Sequence, residues 1–503
     1  LKRVQDDGYG RRHGVTTATD TRPGPYRTAV LALLALALVL AIYPLIRSFW
    51  DFEIDFNEGW NGYFQLRAMA GQPLYSGYSP FFANNYPPLS FYLVGAIGRV
   101  IGDPILAGRL VSLAALGAIA WASGSIVRSA GGGKWERLLA IATCLLLFAA
   151  FATDYLGMND PQLLAQACAT AALAVYLGGR PSTGRIALTA LLVAVSVMAK
   201  HNLILIPLLI TGDVLLRGDG RQRTAWFLSG IVLAAMSAAL LWALAGSAPF
   251  AMILAPRSWE VDRAFLFTVE VLARYQAPIA VVGAGLYAAR RRRPAGLILV
   301  YLIAAIAVGA AWSGGAGTDI NVFFDLSIAL AIGAGLAAIE LRERGVSPRY
   351  LAAFALLANA GALFFAPQAL GRFGVDMAGD MADRAHLFAQ DTAYLAAKPG
   401  PVLCQSQLLC LRAGKPMFYD SFNATQAMRF GTLPKDTLTG MLARHEIAVV
   451  QVSDLPARSP NDPPGVQAYP ARFVNFEDDV FTALDRYYRI DRVGISGRFY
   501  VPK

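Results

Sequence analysis

The feature that most constrains this chain is a repeating pattern of apolar blocks, roughly 14 to 25 residues long, separated by short charged segments. A helix rises about 1.5 Å per residue, so such blocks suit crossings of a hydrocarbon layer about 30 Å thick. Eleven crossings fit, near 29–49, 105–127, 138–153, 161–178, 186–199, 202–216, 225–245, 275–289, 295–312, 322–339 and 350–366. Of the 503 residues only 16% are charged, against about a quarter in soluble domains, and 56% are hydrophobic. A soluble globular fold is excluded. The expected class is an all-α polytopic membrane domain of about eleven helices with a small C-terminal α/β domain.

The formal net charge of +10 does not point to nucleic acid, because the basic residues sort by side of the membrane. With a cytoplasmic N-terminus, inner segments hold 21 Lys and Arg, including Arg128, Arg217, the run Arg290 to Arg293, Arg342 and Arg344; outer segments of the same region hold 8. The positive-inside rule then places residues 370–503 outside, and reads the four-arginine run as a topology anchor. The apolar segment 89–101 is short for a crossing and would reverse this pattern, so it is expected to lie at the outer interface. Ala29 to Trp50 is too long for a signal core and is expected to remain as the first crossing.

Residues 1–28 read as a cytoplasmic tail, and 29–369 as the transmembrane domain with 50–104 as its first outer loop. Within that loop Glu58 to Ala70 sets Trp60, Tyr63, Phe64 and Ala68 on one face, which suits an interfacial helix. In the C-terminal region Pro401 to Leu409, Glu446 to Val452 and Arg489 to Val501 read as strands, Asp383 to Ala397 and Leu433 to His445 as helices. Cys144 and Cys168 fall in predicted spans and read as packed thiols. Cys404 and Cys410 lie in the outer domain, where a disulfide or two buried thiols are both open.

Candidate chemistry gathers in the outer loops. Asp51, Glu53, Asp55 and Glu58 follow the first span among aromatic residues, where desolvation raises a carboxylate towards the range of a general base. Glu53 and Asp55 also have a spacing that can hold a divalent cation through oxygen ligands. Asn84 to Tyr92 carries Tyr86 and a Pro87-Pro88 helix start. Asn159-Asp160-Pro161 reads as a helix cap to which function can be added. Lys200 and His201 interrupt an apolar stretch and suit a phosphate, as do Arg257 and Arg263, for which a salt-bridged loop with Glu260 and Asp262 is the alternative. Gly314 to Gly317 lead to Asp319 and Asn321 in a turn open to close backbone approach.

In this order the segments resemble the GT-C superfamily of membrane glycosyltransferases, which includes protein O-mannosyltransferases and the lipid A aminoarabinose transferase. The resemblance covers most of 29–366: Asn57-Glu58-Gly59-Trp60, Pro87 to Phe91, Arg109, Asn159-Asp160-Pro161, Ala199-Lys200-His201 and Asp319-Ile320-Asn321. It implies a polyprenyl-phosphate-linked sugar donor and inverting transfer to an acceptor hydroxyl on a lipid, glycan or protein, at the outer face of a bacterial inner membrane. Relatives carry an Asp-Glu pair in the first outer loop. Here Asn57 replaces that aspartate, so Asp55 or Glu58 must serve as base, with Asp160 positioning acceptor or metal and Lys200, His201, Arg257 or Arg263 meeting the leaving phosphate. A divalent cation is allowed, not required. The competing readings are a transporter or flippase of lipid-linked sugars, which calls for ionisable groups near the midplane, and a non-catalytic scaffold subunit.

Overall fold

A computed structural model describes residues 24–75, 81, 83–179, 182–453 and 475–503; of the tail expected over 1–28, residues 1–23 lie outside them and 25–28 already belong to the first helix. Each expected apolar block is helical. In chain order they are α1 (Pro25–Arg47), α4 (Pro104–Ser129), α5 (Lys134–Phe151), α6 (Gln162–Leu177), α7 (Thr183–Ala199), α8 (Leu205–Arg217), α9 (Gly220–Ala245), α11 (Val261–Ala289), α12 (Arg293–Ser313), α13 (Phe324–Glu343) and α14 (Pro348–Leu357). Between them lie α2 (Asn57–Met69), α3 (Leu89–Ile101) and α10 (Ala248–Ile253). Among the described residues six helices are long and apolar enough to cross a bilayer, or seven when α14 and the helix after it count as one bent span.

Burial divides these helices. α13 is covered on all sides by α4, α5, α11 and α12, and its small residues permit that approach: a Cβ at Gly335 would meet Val127. The membrane-length stretch of α9 is 6% buried, so its apolar side chains have lipid as their natural solvent.

Several expectations need correction. α11 starts at Val261, fourteen residues before the expected 275, because Asp262, Arg263, Glu270 and Arg274 lower the hydropathy of a segment that is nonetheless helical. The last block is not straight: α14 and α15 (Ala360–Val375) meet at a 58° bend. There Asn359 donates to Thr143 Oγ1 at 3.1 Å, an anchor to α5 at the break. The run Arg290 to Arg293 does more than anchor, since Arg292 pairs with Glu340 and Glu343, and Arg293 donates to Asp213 and Tyr176.

After α15 the chain continues as α16 (Met381–Ala397) into an α/β domain with β1 (Val402–Cys404), α17 (Gln407–Arg412), α18 (Ser421–Arg429), α19 (Thr437–Ala443), β2 (Val449–Val452), α20 (Asp478–Tyr487), β3 (Tyr488–Gly494) and β4 (Gly497–Pro502). The sheet order is β1-β2-β4-β3, with β1 parallel to β2 and the other pairs antiparallel. Two expected strands are therefore revised. Arg489 to Val501 is a hairpin folded at Gly494–Gly497, where Gly497 takes φ 107°. Pro401 to Leu409 is strand only to Cys404 and then turns into α17. Cys404 and Cys410 are joined across this turn, with Cα atoms 5.9 Å apart.

α2 is not an interfacial helix with one covered face. Its Trp60, Phe64 and Phe91 of α3 form an aromatic cluster, while the opposite face meets α17. A side chain at Gly59 would collide with the Leu408 backbone, so glycine sets how closely the C-terminal domain sits. Arg412 of α17 fastens the contact, pairing with Asp51 and Asp103 at 2.8 Å each.

Candidate functional site

The loops that carry the expected residues meet at one end of the bundle, beneath the C-terminal domain. Connections after α1, α5, α7 and α12 come together there, and α18 closes over them: Trp60 Nε1 donates to Asp420 at 3.0 Å and Ser258 N to Gln426 at 3.0 Å.

Glu58 is the first carboxylate whose place differs from expectation. Arg109 donates Nε to its Oε1 at 2.8 Å and Nη2 to its Oε2 at 2.7 Å; the Ile54 and Asn159 amides add 2.8 and 3.1 Å bonds. With both oxygens engaged inside the protein, Glu58 holds the first loop rather than offering a lone pair to an acceptor. Arg109 also binds the Trp50 and Phe52 carbonyls, so one guanidinium shapes the whole turn after α1. Asn159 belongs to the same core, with its side-chain amide paired to Gln65 at 2.8 and 3.0 Å.

Asp55 differs from Glu58. It is half-buried, with no cation paired to it among the described residues, and its Oδ1 accepts from the Asn57 amide at 3.1 Å. Asn57 thus contributes its backbone to Asp55 and accepts from Asn61. Burial, then the charges of Asp319, Asp160 and Glu58, raise Asp55 to about 7 against the lowering effect of the Asn57 bond. A carboxyl near 7 is divided between base and acid at physiological pH.

Asp160 does two jobs. Its Oδ1 caps α6 by accepting from Gln162 N at 2.7 Å and also receives Lys200 Nζ at 3.0 Å, in an ion pair with both side chains buried. Burial opposes the Lys200 charge, but Asp160 and Tyr86 outweigh it and hold the ammonium pKa above its usual value. The ammonium lies 4.8 Å from the centre of the Tyr86 ring.

Beside this pair opens a cavity of about 520 Å³ lined by Tyr86, Lys200, His201, Arg257, the turn Gly315–Thr318 and Asn321, among others. No Asp or Glu lines it among the described residues. Arg257 stacks 5.1 Å from the Phe422 ring and donates to Asn423 at 3.4 Å; among the described residues it makes no ion pair with Glu260 or Asp262. Arg263 donates to the Thr318 carbonyl and so braces the glycine-rich turn from behind the cavity. Burial, with Lys200 and Arg257 nearby, pushes His201 down to about 4, so it is neutral where a phosphate cation was expected. Asn321, in the cavity lining, donates to Gln162 at 3.3 Å, and Asp319, raised by burial, caps the turn by accepting from Ile320 N.

Glu53 and Asp55 have different hydrogen-bond partners. Glu53 reaches the Leu408 amide at 3.5 Å and lines a separate recess with Ser406 and Arg384, where burial raises it to about 8. Among the described residues no three His, Cys, Asp or Glu converge as a metal set. Sequence reasoning also missed Asp420, Phe422 and Asn423, which close the site from the C-terminal domain; no local pattern marks them, since their partners lie far away in the chain.

The fold is shared with two proteins of known structure. ArnT from Cupriavidus metallidurans superposes with a TM-score of 0.60 at 14% identity in the apo state and 15% when bound to undecaprenyl phosphate, over 94% of this chain and 97% of that one. The archaeal oligosaccharyltransferase AglB from Archaeoglobus fulgidus, in complex with an inhibitory peptide and a dolichol-phosphate, gives 0.53 at 12% identity over 94% of this chain and 74% of that one. No family sequence model and no curated protein sequence matches the chain, so the likeness is one of fold. The expected fold class, an all-α membrane domain followed by a small C-terminal α/β domain, is the one observed.

Proposed function

We propose that the chain transfers a sugar from a polyprenyl-phosphate donor to an acceptor hydroxyl, with inversion, at the non-cytoplasmic face of a bacterial inner membrane. The observation that carries this reading is a carboxyl poised near 7, Asp55, on which the charge of Asp160 acts, while Asp160 in turn holds Lys200 in a cavity whose lining charges are cations. Asp55 takes the acceptor proton as the acceptor oxygen bonds to the anomeric carbon, and the bond from that carbon to the phosphate oxygen breaks. The departing phosphate gains charge in a recess held by Arg257 and by Lys200, whose ammonium Asp160 orients. Arg263 acts through the Thr318 turn and His201 as a neutral wall, while Glu58 and Asn159 keep the loop in register.

The lipid-phosphate complexes of ArnT and AglB support a donor of this class, and the basic loops at the opposite end of the bundle support the orientation. Purified full-length protein should move radiolabelled sugar from polyprenyl-phosphate mannose, glucose or galactose into envelope material in a single turnover. Movement of intact lipid-linked sugar across vesicles without transfer would instead identify a flippase.

A further inference from the structure

Strands β1 and β2 run parallel, so their carboxyl ends open on one edge of the sheet, the place where α/β domains commonly bind ligands. The recess that Glu53 lines, about 210 Å³, lies there: Ser406 follows β1, Ser453 follows β2, and Ser496 sits in the turn between β3 and β4. One side chain ties all three. Gln451 of β2, fully buried, accepts from the Ser406 amide at 2.9 Å and donates to Ser453 Oγ at 2.9 Å and to the Ser496 carbonyl. Asp391 of α16 holds the same turn from another side, accepting from Ser496 N and Arg492 Nε at 2.9 Å each. The serines are thus fixed by the fold, and Ser496 Oγ, buried, has no hydrogen-bond partner among the described residues.

The lining is of two kinds. Phe52 and Phe388 supply apolar ring surface, while the serine hydroxyls and Glu53 supply groups that both donate and accept, Glu53 being uncharged at neutral pH because burial raises it to about 8. Charge around the recess is balanced among the described residues. Arg384 pairs with Asp380 at 3.7 Å and lies 4.6 Å from the Phe52 ring, and Arg492 is taken up by Asp391. Arg498 belongs to the opposite face of β4 from Phe499, the residue that packs with Phe52 and Phe388. Two cations meet two carboxylates with Glu53 left over, so nothing here favours a phosphate, and an uncharged Glu53 offers little to a cation. A molecule with C–H faces and hydroxyl edges matches both kinds of lining at once.

We propose that this recess binds one neutral sugar ring, its C–H face against Phe52 and Phe388 and its hydroxyls on Glu53, Ser406 and Ser453. The site is separate from the donor cavity and does not rest on the transfer reading; a protein without transfer activity should bind the sugar equally.

The test uses full-length protein in phosphatidylcholine nanodiscs, which bring no sugar headgroup. Saturation-transfer NMR with the methyl glycosides of glucose, galactose, mannose and N-acetylglucosamine should show binding of at least one, with the ring C–H protons most strongly affected. Ser453→Leu, at an exposed position, removes a hydroxyl and fills space; it should weaken that glycoside at least tenfold with the melting temperature unchanged. Ser453→Thr, which keeps the hydroxyl, should bind like the parent, and Glu53→Gln, which still donates and accepts, should bind where Glu53→Leu does not. Should Ser453→Leu melt lower, the same loss in Ile495→Asp, on a side chain 45% exposed, decides. Arg257→Ala, in the donor cavity, should leave glycoside binding unchanged. Binding of none of the four glycosides, unchanged binding in the blocking variants, displacement by inorganic phosphate or methylammonium at equal concentration, or loss of binding in Arg257→Ala would each overturn the site.

Discussion

Arg109 holds Glu58 by two parallel hydrogen bonds of 2.8 and 2.7 Å, and neither side chain reaches solvent. Such a pair is a strut whose loss leaves an uncompensated buried charge, costing about 3–5 kcal/mol. Glu58→Gln and Arg109→Ala should therefore lower the melting temperature in detergent and reduce the yield of folded protein. Glu58→Gln that melts like the parent while losing transfer would return Glu58 to the role of base.

Asp160 and Lys200 form a second buried pair, but one whose Lys200 lines the proposed donor cavity. Removing either partner alone strands the other, so Asp160→Asn and Lys200→Met should each be costly to donor binding. The double variant should lose less than the sum, by about 1–3 kcal/mol of coupling. Additive losses in a donor-binding titration would mean that the two residues act separately.

What could be read from the sequence follows from the range over which each cause acts. Apolar length and charge asymmetry are local or cumulative properties, so the helices were legible. The boundary of α11 was not, because Asp262, Glu270 and Arg274 look like loop charges unless their i,i+4 partners and packing are known. The aromatic face of α2 suggested an interface because periodicity shows one covered face and is silent about α17 on the other. Among the candidate residues, Lys200 stood out as a charge interrupting an apolar stretch and Asp55 as an acid among aromatic residues, whereas Asp160 read first as a helix cap and Arg257 as one of two loop guanidinium groups. That Glu58 is a strut depends on Arg109, 51 positions further along the chain, and no spacing encodes that.

The Cys404–Cys410 bond closes a short loop between β1 and α17, the helix that packs on α2. For so short a loop the chain-entropy contribution is about 2 kcal/mol. Reduction should loosen α17 first, seen as faster amide exchange over Gln407–Arg412, with the membrane helices unaffected. Exchange that is unchanged on full reduction would show the bond to be dispensable.

Orientation can be tested with single cysteines in a variant lacking the native four. A membrane-impermeant thiol reagent applied to intact cells with a permeable outer layer should label Lys435→Cys in the C-terminal domain and leave Arg291→Cys and Glu343→Cys unlabelled until lysis. The asymmetry of 21 inner to 8 outer basic residues motivates this. Labelling at Arg291 before lysis would mean that α3 crosses and every later loop is reversed.

The chemistry turns on Asp55. Its carboxyl is raised to about 7 from an ordinary 3.8, first by burial and then by neighbouring acids, so the folded protein binds this proton more tightly than the unfolded chain does. The sign for stability follows: Asp55 favours the fold most below 3.8, and that contribution is lost as the pH rises towards 7. Catalysis has the opposite sign, since only the deprotonated form accepts a proton. Transfer, measured as kcat/KM, should therefore rise about tenfold per pH unit below 7 and level off above it. Asp55→Asn should keep its melting temperature, lose the inflection and cut transfer about a hundredfold or more. Asp55→Glu should restore part of the rate with a shifted inflection. Full transfer in Asp55→Asn, or a wild-type profile flat from pH 5 to 9 in a purified assay at fixed ionic strength, would place the base elsewhere, with Asp319 the next carboxyl to test.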